Sequence, residues 1–165
     1  MTRLRFFVHG RARGQGSKRV ITHRHTGKPA LIESAGAGLR AWREDVKAQA
    51  LRTRNGCAYA FPVPRDTPVS VYLDFILQRP ASMPKGRVGP TTKPDIDKVT
   101  RACLDALTGV IYTDDAQVIE LVATKDYGTP IGVAIDIEFT ETPCPPTPST
   151  PMPRRARSRG TAATA

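Results

Sequence analysis

Four aspartates, Asp95, Asp97, Asp114 and Asp115, fall within one stretch, KPDIDKVTRACLDALTGVIYTDDAQ, residues 93 to 117. Carboxylates about 4 Å apart repel by about 4 kcal/mol at an effective dielectric of 20, so a cluster of them takes up a shared proton or a cation. Hard oxygen donors of this kind suit Mg2+, with Mn2+ as the alternative, and not zinc. Each aspartate alone also has an ordinary explanation. Asp95 would cap a helix, and Asp114 and Asp115 would sit in a polar turn. The metal reading gains because one helix and one loop carry all four.

The elements that must position them can be read from the same text. Pro94 suits the first turn of a helix and Gly109 the left-handed residue just past its end, so the spacing predicts a helix over roughly 94–108. Ile96, Val99, Cys103, Ala106 and Leu107 form its apolar face, while Asp97, Arg101 and Asp105 make an outward i, i+4, i+8 row in which Asp97 and Arg101 could simply form an ion pair. Residues two apart on a helix point about 200° away from each other, so Asp95 and Asp97 converge only if Asp95 lies in the entry turn.

Around this helix the chain reads as LRFFVHG (4–10), a first strand; 33–53, a helix with Leu39, Trp42, Val46 and Ala50 on its buried face; and VSVYLDFIL (69–77), a second strand. VIELVATKDYG and PIGVAIDIEFT follow as strands three and four, and Gly128 and Pro130 between them predict a tight antiparallel connection. The order β-α-β-α-β-β implies an α+β fold, a small mixed sheet with two helices on one face. Residues 1–140 would form the domain. From Glu141 the chain is Pro-rich and basic, a composition that cannot bury enough apolar surface to order itself, so 141–165 is expected to be a disordered tail.

The net charge of +10 is unevenly spread. Residues 1–30 hold eight Lys or Arg and no acid, and the tail adds four Arg against one Glu, while the 110 residues between carry 13 basic and 14 acidic groups. Arg11, Arg13, Lys18 and Arg19 lie in a Gly-rich loop near the N-terminus. Lys85, Arg87, Lys93 and Lys98 lie in the long loop that delivers the chain to Asp95 and in the helix start. Carboxylates in a basic surround fit a polyanion held by its phosphates over a metal site. His23 and His25 form an HxH with no further ligand nearby, which is a weak metal signal. Three cysteines far apart indicate neither a disulfide frame nor a metal clip, and Cys103 reads as a small core residue. No apolar run reaches the roughly 20 residues of a membrane span, and the first residues lack the core of a secretion signal, so a cytoplasmic protein without membrane contact is expected.

The segment PDIDKVTRACLDALTGVIYTDDAQV resembles the signature of RusA-type Holliday junction resolvases, in which a D-x-D pair opens a helix, L-D-A-L-T follows and a D-D-x-Q turn supplies the last acid. The resemblance implies a homodimeric, metal-dependent and structure-selective endodeoxyribonuclease. Such an enzyme resolves four-way DNA junctions by paired symmetric nicks, in recombination and repair or in phage DNA processing within a bacterial or phage-infected cell. It implies Asp95, Asp97 and Asp115 as the metal-binding catalytic acids, with Asp114 assisting. The family has Asn where Lys98 stands here, and a catalytic Lys where this chain has Arg101. Arg keeps its proton, so Arg101 is expected to steady a phosphate and not to act as an acid. Two rivals stay open: a non-catalytic module that binds branched DNA, and a less selective metal nuclease.

Overall fold

The computed structural model describes residues 1–140 except 17, 23, 25, 34, 35, 85 and 87. The tail from 141 onward, the HxH histidines His23 and His25, and the loop cations Lys85 and Arg87 lie outside the described residues. The elements are β1 (Thr2–His9), β2 (Lys18–Thr22), β3 (Pro29–Glu33), α1 (Gly36–Asn55), β4 (Val69–Leu77), α2 (Ile96–Leu107), a 3-10 turn (Asp115–Gln117), β5 (Val118–Tyr127) and β6 (Gly132–Phe139).

Four strands form a mixed sheet in the order β1-β6-β4-β5. β6 runs antiparallel to both β1 and β4, and β4 is parallel to β5. Period-two patterning decides which face is buried. Val69, Val71, Leu73, Phe75 and Leu77 of β4 point into the core together with Leu4, Phe6 and Val8 of β1 and Val133, Ile135, Ile137 and Phe139 of β6. Both helices close that face: Leu39, Trp42, Val46 and Ala50 of α1 and Val99, Cys103, Ala106 and Leu107 of α2 belong to the same core. Burial pushes the Cys103 thiol up to about 12, which leaves it inert, as its core placement suggested.

Several expectations need correcting. A two-stranded hairpin, β2 with β3, precedes α1 and holds Lys18 and Arg19. α2 begins at Ile96 with Asp95 as its N-cap, so Pro94 precedes the helix and does not open it; Gly109, at φ +74°, does follow its end. The tight antiparallel pairing of the last two strands is absent. A helical crossover from β4 returns the chain parallel to β4, so β5 takes the outer edge. Residues 128–131 then pass over the end of β4, where the Gly128 N–H donates to Leu77 O at 3.1 Å, and β6 runs back between β4 and β1.

Candidate metal and nucleic-acid site

The start of α2 is held by cations. Asp95 is in extended conformation at the N-cap, but its side chain makes no capping hydrogen bond. Its carboxylate instead accepts from Lys98 Nζ at 2.9 Å, one turn along. The Lys98 hydrogen bond and charge, aided by Lys93 and Lys125, hold the Asp95 carboxyl below the usual carboxylate range. Lys98 is raised in return, by Asp95 first and by the charge of Asp97 as well. Asp97 is exposed in the first helical turn, where the helix dipole favours an anion. Arg101 is exposed one turn further on, and no ion pair joins it to Asp97 among the described residues. The outward acid that does pair is Asp105, with Arg43 of α1 at 2.5 Å.

Beside this helix start lies a cleft of about 810 Å3, lined by Asp95 and by Arg11, Arg13, Arg79, Lys93 and Lys98. The loop 10–16 forms one wall by lying along the first turn of α2, with the Gln15 N–H donating to Lys98 O at 3.0 Å. Glycine at 14 permits that approach, since a Cβ there would stand 2.9 Å from Lys98 Cβ. Arg11 donates to Gln78, and Arg79 lies over the Tyr127 ring, 5.9 Å from its centroid. Five cations around one carboxylate make a surface for phosphates. All five carry the basic surround legible in the sequence: Arg11 and Arg13 from the Gly-rich loop, and Arg79, Lys93 and Lys98 from the stretch around Asp95. Side-chain placement of Lys18 and Arg19 on the β2–β3 hairpin falls outside the described residues.

Asp114 and Asp115 occupy a different place. Asp114 caps the 3-10 turn: its carboxylate accepts from the Ala116 N–H at 3.1 Å, which lowers its pKa, with a weaker pull from Arg65. That is the ordinary role first weighed for it. Gln117, 6% exposed, is the last residue of the D-D-x-Q pattern, to which the sequence assigned no role, and it organises the turn. Its Oε1 accepts from the Thr113 and Asp114 N–H groups, and its Nε2 donates to Pro64 O at 2.6 Å and Thr67 O at 3.1 Å. The polar turn expected around Asp114 and Asp115 is only the exposed part of the stretch VIYTDDAQ, because Val110, Ile111, Tyr112 and Gln117 are buried. The Asp115 carboxylate is exposed.

The Asp114–Asp115 turn is anchored ahead of β4, near Pro64 and Thr67, whereas the Asp95 end of α2 is anchored at the far end of β5 by Lys125. The two sites are thus on the order of 20 Å apart, given the rise of a 12-residue helix and of the parallel strand beside it. No group of three His, Cys, Asp or Glu side chains among the described residues is close enough to hold a metal ion. Two carboxylates at the head of α2 still fit Mg2+, which keeps several waters and is commonly held by one or two carboxylates together with substrate phosphates.

A family model for the RusA endodeoxyribonucleases matches residues 13–138. The chain belongs to the RusA family. A 43-residue stretch, 26% of the chain, is also 49% identical to an uncharacterized protein, YqaN, of Bacillus subtilis (strain 168), and covers 30% of that protein's length. Within this RusA chain the residues that sequence reasoning missed are Gln117, Tyr127 and Lys125. Tyr127 ends a strand as an aromatic, and Lys125 sits in an alternating strand where a lysine reads as solvent-facing. Neither gives a local signal of a site.

Proposed function

We propose that this protein is a divalent-metal-dependent endodeoxyribonuclease that resolves four-way DNA junctions by paired nicks. It would act as a homodimer in the cytoplasm of a bacterial or phage-infected cell, in recombination, repair or phage DNA processing. The observation that carries this reading is the placement of Asp95, two residues before Asp97 at the head of α2, in a cleft lined by five cations. Asp95 and Asp97 would hold the ion, Mg2+ or Mn2+, which supplies activation of water and neutralisation of the leaving oxygen when bound. Lys98, already on Asp95, and Arg101 one turn on would steady the scissile phosphate. Arg11, Arg13 and Lys93 would hold the flanking backbone, so that branched shape, and not base sequence, sets the substrate.

Asp115 enters through the second copy. In one chain it stands too far from Asp95 to share an ion, but β5 is an edge strand with Ile119, Leu121 and Val122 exposed. A two-fold contact in which the β5 edges hydrogen-bond into one continuous sheet would be antiparallel. It would set the Asp115 end of one strand against the Lys125 end of the other, beside the partner's helix head. Two such composite sites across one axis suit two nicks in opposed strands.

The test compares a synthetic four-way junction, a linear duplex and a single strand, each with Mg2+ and with EDTA, for the natural chain and Asp97→Asn. Paired nicking of the junction that EDTA abolishes is expected. Residues that merely orient metal ligands cost about 10- to 100-fold, so Asp97→Asn should cost more than about 100-fold while junction binding survives. Equal cutting of all three substrates would make the protein an unselective nuclease. Binding without any cutting would make it a junction-binding module.

A further inference from the structure

Lys125, on the edge strand β5, uses its charge on backbone. Its Nζ donates to Thr92 O and to Pro94 O, each at 3.0 Å. Those carbonyls lie three residues and one residue before Asp95. In the parallel β4–β5 pair Lys125 stands opposite Phe75, on the strand face it shares with Ala123 and Tyr127 and towards the helices. A half-buried ammonium on that face is costly unless it is hydrogen-bonded, and the two carbonyls supply the bonds.

The helix head depends on such an outside hold. Asp95 does not tie itself down as an N-cap normally would, since its side chain bonds Lys98 and no backbone N–H of the first turn. The first helical bond, from the Val99 N–H to Asp95 O, is 3.2 Å. Among the described residues, the chain just before Asp95 is bonded by Lys125, reaching across from the end of β5.

We propose that Lys125 is a positioning residue for cleavage: by gripping the carbonyls of Thr92 and Pro94 it sets where Asp95 stands in the cleft. The ammonium touches neither the phosphate nor the ion; it acts through the backbone ahead of the carboxylate. This inference rests on the nuclease reading for its kinetic readout, but its structural readout does not.

The experiment uses the full chain as Lys125→Met, which keeps the stem and removes the donors, and Lys125→Arg, which keeps both charge and donors. Single-turnover and steady-state cleavage of a four-way junction in Mg2+ are measured beside deuterium exchange of the 92–99 segment. Lys125→Met should lower kcat by about 10- to 100-fold with KM within about twofold, and Lys125→Arg should recover most of the loss. Exchange in 92–99 should rise in Lys125→Met and return towards the natural rate in Lys125→Arg, with the β-sheet core unchanged. Natural kcat in Lys125→Met, or Lys125→Arg as impaired as a well-folded Lys125→Met, would overturn the proposal. Should Lys125→Met not fold, Lys125→Gln replaces it under the same criteria. If the natural chain cuts no DNA, the nuclease reading fails. The exchange data then decide alone, and an unaltered 92–99 segment in the neutral variant overturns the clamp.

Discussion

Asp95 and Asp115 stand at opposite ends of α2, one at its N-cap and the other beyond its last turn in the 3-10 turn that leads into β5. If each site takes Asp95 from one copy and Asp115 from the other, Asp95→Asn and Asp115→Asn should be inactive singly yet restore activity when refolded together. Half of the dimers in an equal mixture are mixed, and each mixed dimer has one intact site. Nicking should therefore return to about a quarter of the natural level, as single nicks and without full resolution. A nicking assay on a junction labelled in each strand reads this directly. No recovery in a mixture shown to exchange subunits would place all the acids of a site in one chain.

Binding should respond steeply to salt. Engagement of about six phosphates by the cleft cations predicts a fall in junction affinity of about 10³-fold between 50 and 200 mM salt. Replacing Arg13 or Lys93 with Ala should flatten that slope by about one phosphate each. A slope that stays the same in both variants would remove those side chains from the DNA path.

Gln117 joins the Asp114–Asp115 turn to the chain ahead of β4 through four hydrogen bonds made at 6% exposure. Truncation to Ala orphans partly buried N–H and C=O groups, so Gln117→Ala should lose about 2–3 kcal/mol in denaturant unfolding. Gln117→Glu should not rescue it, because a carboxylate cannot donate to Pro64 O and Thr67 O.

Asp136 gives the fold a pH dependence away from the site. Hydrogen bonding from Arg3, the largest influence, and from Arg5 lowers its carboxyl below the ordinary value of 3.8, against a smaller opposing effect of burial. A depressed carboxylate contributes stability that is complete above the unfolded value and is lost as pH falls through the folded value. Asp136→Asn should therefore be less stable than the natural chain at pH 7, and the gap should close as pH falls below the ordinary carboxylate range. Circular dichroism during acid titration measures it; a gap that persists at the lowest pH would assign the loss to packing.

Local text carried what local physics controls. The strand Val69–Leu77 appears with both ends where alternation and the flanking Pro68 place them, and the α1 face of Leu39, Trp42, Val46 and Ala50 follows from its helical spacing. The hairpin β2–β3 escaped because five-residue strands amid Gly, Arg and Lys carry too few apolar positions to show a period. Non-local order escaped for another reason. That β6 inserts beside β1 depends on which edge of β4 the α2 crossover leaves open, and nothing near Gly128 encodes that. The cation cleft was legible from the charge pattern, but the division of the acids was not. Twenty residues separate Asp95 from Asp115 in sequence, and only the course of α2 and β5 turns that interval into two ends of a domain.

The chain's single tryptophan, Trp42, is 3% exposed, and its ring lies 3.6 Å from where a Cβ would stand on Gly10. Gly10, at φ +125°, is the root of the loop that walls the cleft. The protein therefore carries its own optical reporter: emission from one sheltered indole, with no other to obscure it, should shift to the red on denaturation. It should also change in intensity whenever a bound nucleic acid lifts or seats that loop, so DNA occupancy can be followed by fluorescence without attaching a dye.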